Sequence, residues 1–72
     1  MDYLKWSQEY YEEAEKVLRN ISRLKDSLSS VPADKYRTTE NMISMLRTIY
    51  YECINTGAHL ALKAKESAKN AA

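Results

Sequence analysis

Four kinds of residue that small proteins lean on are nearly missing: there is one cysteine, one glycine, one proline and no phenylalanine. A single cysteine cannot form a disulfide within the chain. With only one histidine besides, a Cys/His zinc site within one copy lacks ligands. Net charge is +1, which argues against a chain that works as a polyanion mimic or as a strong general binder of nucleic acid. The longest uncharged apolar stretch, Cys53 to Leu62, is too short for a bilayer, which needs roughly 20 residues. The start Met1-Asp2-Tyr3 lacks a basic region followed by an apolar run, so no signal peptide is expected. The free cysteine then favours a reducing, cytoplasmic setting. No Gly-rich phosphate loop, GxSxG, HExxH or CxxC is present. No Glu or Glu-x-x-His pair sits on an apolar stripe as a di-metal bundle requires. The expectation is therefore no enzyme, no cofactor, no metal, no small-molecule substrate and no membrane partner.

What is present favours helix. Ala, Leu, Glu, Lys, Arg and Met are frequent, and these residues lose little on entering a helix. Apolar residues recur with alternating steps of three and four. Ser7, Ala14, Ile21 and Leu28 share one position; Tyr3, Tyr10, Val17, Leu24 and Val31 lie three residues from it. That spacing keeps one stripe on one helix face. Leu4, Tyr11 and Leu18 widen the stripe. Glu12–Lys16 and Glu15–Arg19 are suited to i,i+4 pairing on the outer face, and Asp2 suits the N-cap. Helix 1 is expected over about residues 3–29, and a turn over about 30–34, where Ser29-Ser30-Val31-Pro32 breaks the pattern. Helix 2 is expected over about 35–66, capped by Ser30 or Asp34 or restarting at Thr38 or Thr39. A tail over 67–72 either extends it or frays. Along helix 2, Tyr36, Ile43, Tyr50, Gly57 and Ala64 share one position, with Leu46, Cys53 and Leu60 three later.

A short connection makes the two helices antiparallel neighbours. Folding back at Pro32 pairs residues whose numbers sum to about 64. Ile21 then meets Ile43, and Ser7 with Tyr10 meets the segment from Cys53 to Gly57. Gly57 costs about 1 kcal/mol inside a helix, so close approach of Trp6 or Tyr10, or a kink, is expected there. Cys53 reads as a small core residue, and His59 as a surface or interface histidine.

Two helices bury only the seam between them, and here apolar side chains are left over. Leu4, Tyr11 and Leu18 on helix 1 and Met42, Met45, Ile49 and Tyr51 on helix 2 would form a large patch. The fold class is therefore all-α, an antiparallel two-helix hairpin that dimerises into a four-helix bundle. The expected dimer interface is Leu4, Tyr11, Leu18, Met42, Met45, Ile49 and Tyr50. Tyr11, Met45 and Tyr51, wherever the dimer does not consume them, would anchor an unknown protein partner. The alternative is nucleic-acid binding through Arg19, Arg23, Lys35, Arg37 and Arg47, in a bundle architecturally similar to the Rop-type RNA-binding hairpin dimers.

Two stretches also carry a family resemblance: Trp6-Ser7-Gln8-Glu9-Tyr10-Tyr11 and the run from Met45 to Gly57. Together they resemble short uncharacterised helical-hairpin proteins of Firmicutes, often encoded on prophages or other mobile elements. The resemblance implies a cytoplasmic bacterial or phage accessory protein and brings no active-site motif. The secreted two-helix WXG family fits less well, because Val31-Pro32-Ala33 stands where its Trp-x-Gly turn would be.

Overall fold

A computed structural model describes residues 2–71. The chain is two antiparallel helices joined by one tight turn: α1 (Tyr3–Ser27), a 3-10 turn (Leu28–Ser30) and α2 (Ala33–Ala71). No described helix is long and apolar enough to cross a membrane.

Helix α1 begins where Asp2 caps it. The Asp2 carboxylate accepts the Lys5 amide at 3.0 Å, which satisfies one orphan donor of the first turn, and the Asp2 carbonyl accepts the Trp6 amide at 3.1 Å as the first bond of the helix ladder. The helix ends two residues before the expected Ser29. Serine hydroxyls turn back onto the last carbonyls: Ser27 donates to Leu24 O at 2.8 Å and Ser30 to Ser27 O at 3.0 Å. This local bonding competes with the i→i−4 ladder, and the chain tightens into i→i−3 spacing. Val31 is then extended (φ −75°, ψ 135°), as the residue before a proline prefers.

Helix α2 starts earlier and runs further than the periodicity suggested. Neither Ser30 nor Asp34 begins it; the Pro32 carbonyl accepts the Lys35 amide at 2.9 Å and the helix runs from Ala33. There is no restart at Thr38 or Thr39. Instead Thr39 donates to Lys35 O at 3.0 Å, a back-bond that leaves the ladder continuous. At the far end no stop signal interrupts the Ala/Lys/Glu sequence, so the expected tail is helical as far as Ala71; its last residue, 72, lies outside the described residues.

The seam fixes the register. Ser7 and Gly57 are hydrogen-bonded, and Ile21 and Ile43 share one core cluster; each pair of numbers sums to 64. Val17, Ile21 and Ile43 form that cluster, with Leu24, Leu28, Leu46 and Tyr50 packed around it. Towards the open end the core narrows to Ser7, Ala14, Cys53 and Leu60, all buried. By this register Tyr3 lies beside residue 61. The last ten residues of α2, 62–71, therefore project about 15 Å beyond the start of α1. The whole molecule is a rod of 60 × 14 × 14 Å. The outer faces are charged, and among the described residues the ion pair that forms is Glu13–Lys16 at 3.9 Å, i to i+3, in place of the Glu12–Lys16 and Glu15–Arg19 pairs anticipated. Both side chains are more than half exposed, so the pair contributes little to stability.

Candidate functional site

The two helices approach closely where Ser7 lies against Gly57. The Ser7 hydroxyl, buried to 1% exposure, donates to the Gly57 carbonyl at 2.7 Å. A side chain on Gly57 would meet the Tyr11 ring, whose Cε1 lies 3.2 Å from the ideal Cβ position. Tyr11, and not Trp6 or Tyr10, is thus the residue that uses the glycine. It does so from the flank of α1, with its ring laid across α2.

That contact separates the apolar flanks into two faces. Among the described residues ten large apolar side chains are exposed: Leu4, Trp6, Tyr11, Leu18, Tyr36, Met42, Met45, Ile49, Tyr51 and Leu62. Leu4, Tyr11, Leu18 and Lys25 recur every seven residues and form one row along α1. Tyr11 reaches Gly57, and Lys25 shares a cleft with Leu28, Glu40, Ile43, Ser44 and Arg47. This row therefore runs beside the α2 row Glu40, Arg47, Ile54 and Ala61. Arg47 and Ile54 follow Ile43 and Tyr50 by four residues, about 40° round the helix in one sense. Met42 and Ile49 precede the same two seam residues by one, about 100° in the other sense. The rows lie on opposite sides of the rod.

One side, the Tyr11 face, holds Leu4, Tyr11, Leu18, Ile54 and Tyr51. The Tyr51 ring is held edge-on by Tyr50, with centroids 5.5 Å apart at 61°. The other side, the Met45 face, holds Met42, Met45, Ile49 and Trp6. At the open end of that side Trp6, Glu9, Tyr10 and Glu13 line a shallow depression of 260 Å³. The interface set read from the sequence is thus divided: Leu4, Tyr11 and Leu18 are on one side, Met42, Met45 and Ile49 on the other. Tyr50 is half-buried and packs on the Val17–Ile21–Ile43 cluster, so it serves the seam within the chain. Tyr51 and Met45, paired in the sequence reading as anchors, likewise face opposite ways.

The five basic residues of the nucleic-acid alternative are all exposed, but they are not brought together. Arg47 sits with Lys25 and Glu40 in the cleft of the Tyr11 face, of 150 Å³, and Arg37 lies on the same side by register. Arg23 and Lys35 fall on the Met45 side, and Arg19 on the outer edge of α1. Cys53 is buried, and no group of three His, Cys, Asp or Glu side chains that would hold a metal occurs among the described residues.

No protein-family model, no curated protein and no solved structure matches the chain.

Proposed function

We infer that the protein is a self-associating helical hairpin that works by protein–protein interaction, one apolar face pairing with a second copy and the other left to hold a different protein. This is a binding role and not a catalytic one. The observation that carries it is the amount of surface. A compact chain of 8.4 kDa exposes about 4,600 Å², whereas this one exposes 5714 Å². The excess is of the order of what one copy loses on forming a standard interface, about 800 Å² per partner. Ten exposed large apolar side chains occupy much of it. Burying one fully contributes on the order of 1.5–3 kcal/mol, so several together rival the roughly 5–15 kcal/mol net stability of a domain.

Two faces change what one dimer achieves. Two hairpins stacked face to face form a four-helix bundle and cover one side of each. The opposite side of each rod then points outward, and its apolar side chains form the surface offered to a second protein. Such an assembly is an adaptor: it carries two equal binding faces, related by the two-fold axis.

Sedimentation equilibrium or light scattering between about 1 and 100 µM tests the reading. The expected mass is twice 8.4 kDa at the upper concentrations, where even micromolar affinity saturates the complex. A chain that stays folded at its single mass throughout refutes self-association. Retention on an RNA or heparin column that falls steeply with salt would instead favour the basic residues as the working surface.

A further inference from the structure

We propose that the depression between Trp6 and Tyr10 seats an arginine of a partner protein, and that the Met45 face thereby receives a basic segment. The proposal rests on the protein-binding reading above and names the partner's chemistry for one of the two faces.

Charge is unevenly placed along the rod. The chain has 11 Lys and Arg against 10 Asp and Glu, so the two signs nearly balance overall. The seam register lays residues 6–13 beside residues 51–58. Those two segments carry Glu9, Glu12, Glu13 and Glu52 and no lysine or arginine. Glu13 precedes the seam residue Ala14 by one, and Glu9 follows Ser7 by two, about 100° and 160° round α1 in the sense of the Met45 face. Glu52 follows Tyr50 by two, which puts it on the same side of α2. Glu9, Glu13 and Glu52 therefore share the face. Lys16, next after Glu9 in its row, bounds this patch towards the turn. It reaches Glu13 only at 3.9 Å, with both side chains more than half exposed, so it holds that carboxylate weakly. A field of one sign draws a partner of the other sign and repels a polyanion.

The lining of the depression narrows the choice of cation. Trp6 with Tyr10, and Glu9 with Glu13, are each four residues apart, so two rings and two carboxylates stand on adjoining rows of one helix. Together they line 260 Å³. Trp6 is 41% exposed, and both carboxylates are exposed, so a ligand can reach the indole and the acids at once. An indole face attracts a cation more strongly than any other side-chain ring. A guanidinium is planar, stacks on such a ring and presents a fork of donors that carboxylates accept. The volume falls just short of the roughly 300–1,000 Å³ that encloses a small molecule. The cation therefore arrives as one side chain of something larger.

The surface beyond the depression suits a protein segment. The centre of the depression lies beside residues 54–55 of α2 by register. Ile49, Met45 and Met42, all exposed, follow on the same side towards the turn, about 8 to 19 Å away at 1.5 Å per residue. A segment held by its arginine at Trp6 thus runs on to apolar ground, where methionines adapt to what they meet. The Tyr11 face lacks this combination. Its cleft sets Lys25 and Arg47 around one carboxylate, Glu40.

Trp6 is the only tryptophan, so its emission reports the depression directly. Titrating the full chain with tetra-arginine amide at about 0.15 M salt, where exposed charges beyond about 8 Å are largely screened, should shift that emission saturably. The expected dissociation constant is below about 1 mM. Tetra-lysine should bind several-fold more weakly, because an ammonium neither stacks nor forks, and tetra-glutamate should leave the emission unchanged. Glu9→Gln with Glu13→Gln should weaken tetra-arginine at least about fivefold, the loss of two exposed charge pairs. Glu12→Gln with Glu15→Gln removes the same charge from outside the depression and should change the affinity less than about twofold. All four side chains are exposed, and glutamine is as good a helix former as glutamate, so both variants keep the fold. Equal weakening in the two variants would mean diffuse attraction and overturn the site, as would the absence of a saturable shift up to about 10 mM. Light scattering on the same samples keeps the two readings apart. A doubled mass without peptide binding overturns the partner assignment alone; a single-chain mass with peptide bound at Trp6 overturns self-association alone.

Discussion

Ser7 bonds directly to the backbone of the facing helix, and substitutions there should separate a hydrogen bond from a steric limit. Ser7→Ala removes the 2.7 Å bond to the Gly57 carbonyl. A neutral hydrogen bond of this kind contributes about 0.5–1.5 kcal/mol net. The carbonyl is not orphaned, because it lies inside α2 and the helix supplies it a donor four residues on. Alanine also recovers about 0.5 kcal/mol of helix propensity over serine. The two effects leave a net loss of about 0.5 kcal/mol, which lowers the melting midpoint of a domain this size by roughly 2–4 °C. Ser7→Leu differs in kind. The site is 1% exposed and faces a glycine, so three added carbons have no room and the helices must part. Overpacking costs typically 1–3 kcal/mol, or about 4–24 °C. Thermal unfolding followed by circular dichroism at one fixed protein concentration reads both values; the concentration must be held because self-association shifts the midpoint by mass action. A Ser7→Leu protein as stable as the parent would show that the helices do not approach closely here, and the register built on this pair would fall with it.

Gly57→Ala sets a helix-propensity gain of about 1 kcal/mol against a Cβ only 3.2 Å from the Tyr11 ring. In a Tyr11→Ala background the full gain should appear, and in the parent a smaller one; equal effects in chemical denaturation would deny the contact. Amides of residues 62–71, which no part of α1 covers, should exchange hydrogen faster than those of the seam at every protein concentration. Uniform protection at all concentrations would contradict an uncovered overhang. Cys53 is buried, so a thiol reagent should modify the native protein at least about a hundredfold more slowly than the denatured one, as native openings limit access. Rapid native labelling would mean that the open end of the seam is not closed.

Much of the fold was legible because the helix period and the seven-residue spacing so nearly agree that a single stripe survives for four turns or more. Ala14, Val17, Ile21, Ile43, Cys53 and Leu60 all lie on the stripes read from the sequence, and all are buried. The helix ends were less legible. Three serines near residue 29 signal an ending but not its form, and the structure closes α1 at Ser27 by hydroxyl back-bonds. The surface was the least legible part. Each helix shows its own flanks in the sequence. Which flank of α1 shares a side with which flank of α2 depends on where the seam is centred, and that needs both helices in place. The leftover apolar residues therefore looked like one patch, whereas Tyr11 and Met45 point away from each other.

By itself the sequence determined that this chain makes two amphipathic helices, that Pro32 divides them, and that more apolar surface exists than one seam can hide. Those are counts and spacings, fixed along one dimension. Only the tertiary structure decided that Tyr11 is the ring resting on Gly57, that α2 outruns α1, and that the surplus apolar surface is split between two sides. Each of these depends on how two cylinders are rotated and slid against one another, and packing at the Ser7–Gly57 contact sets both.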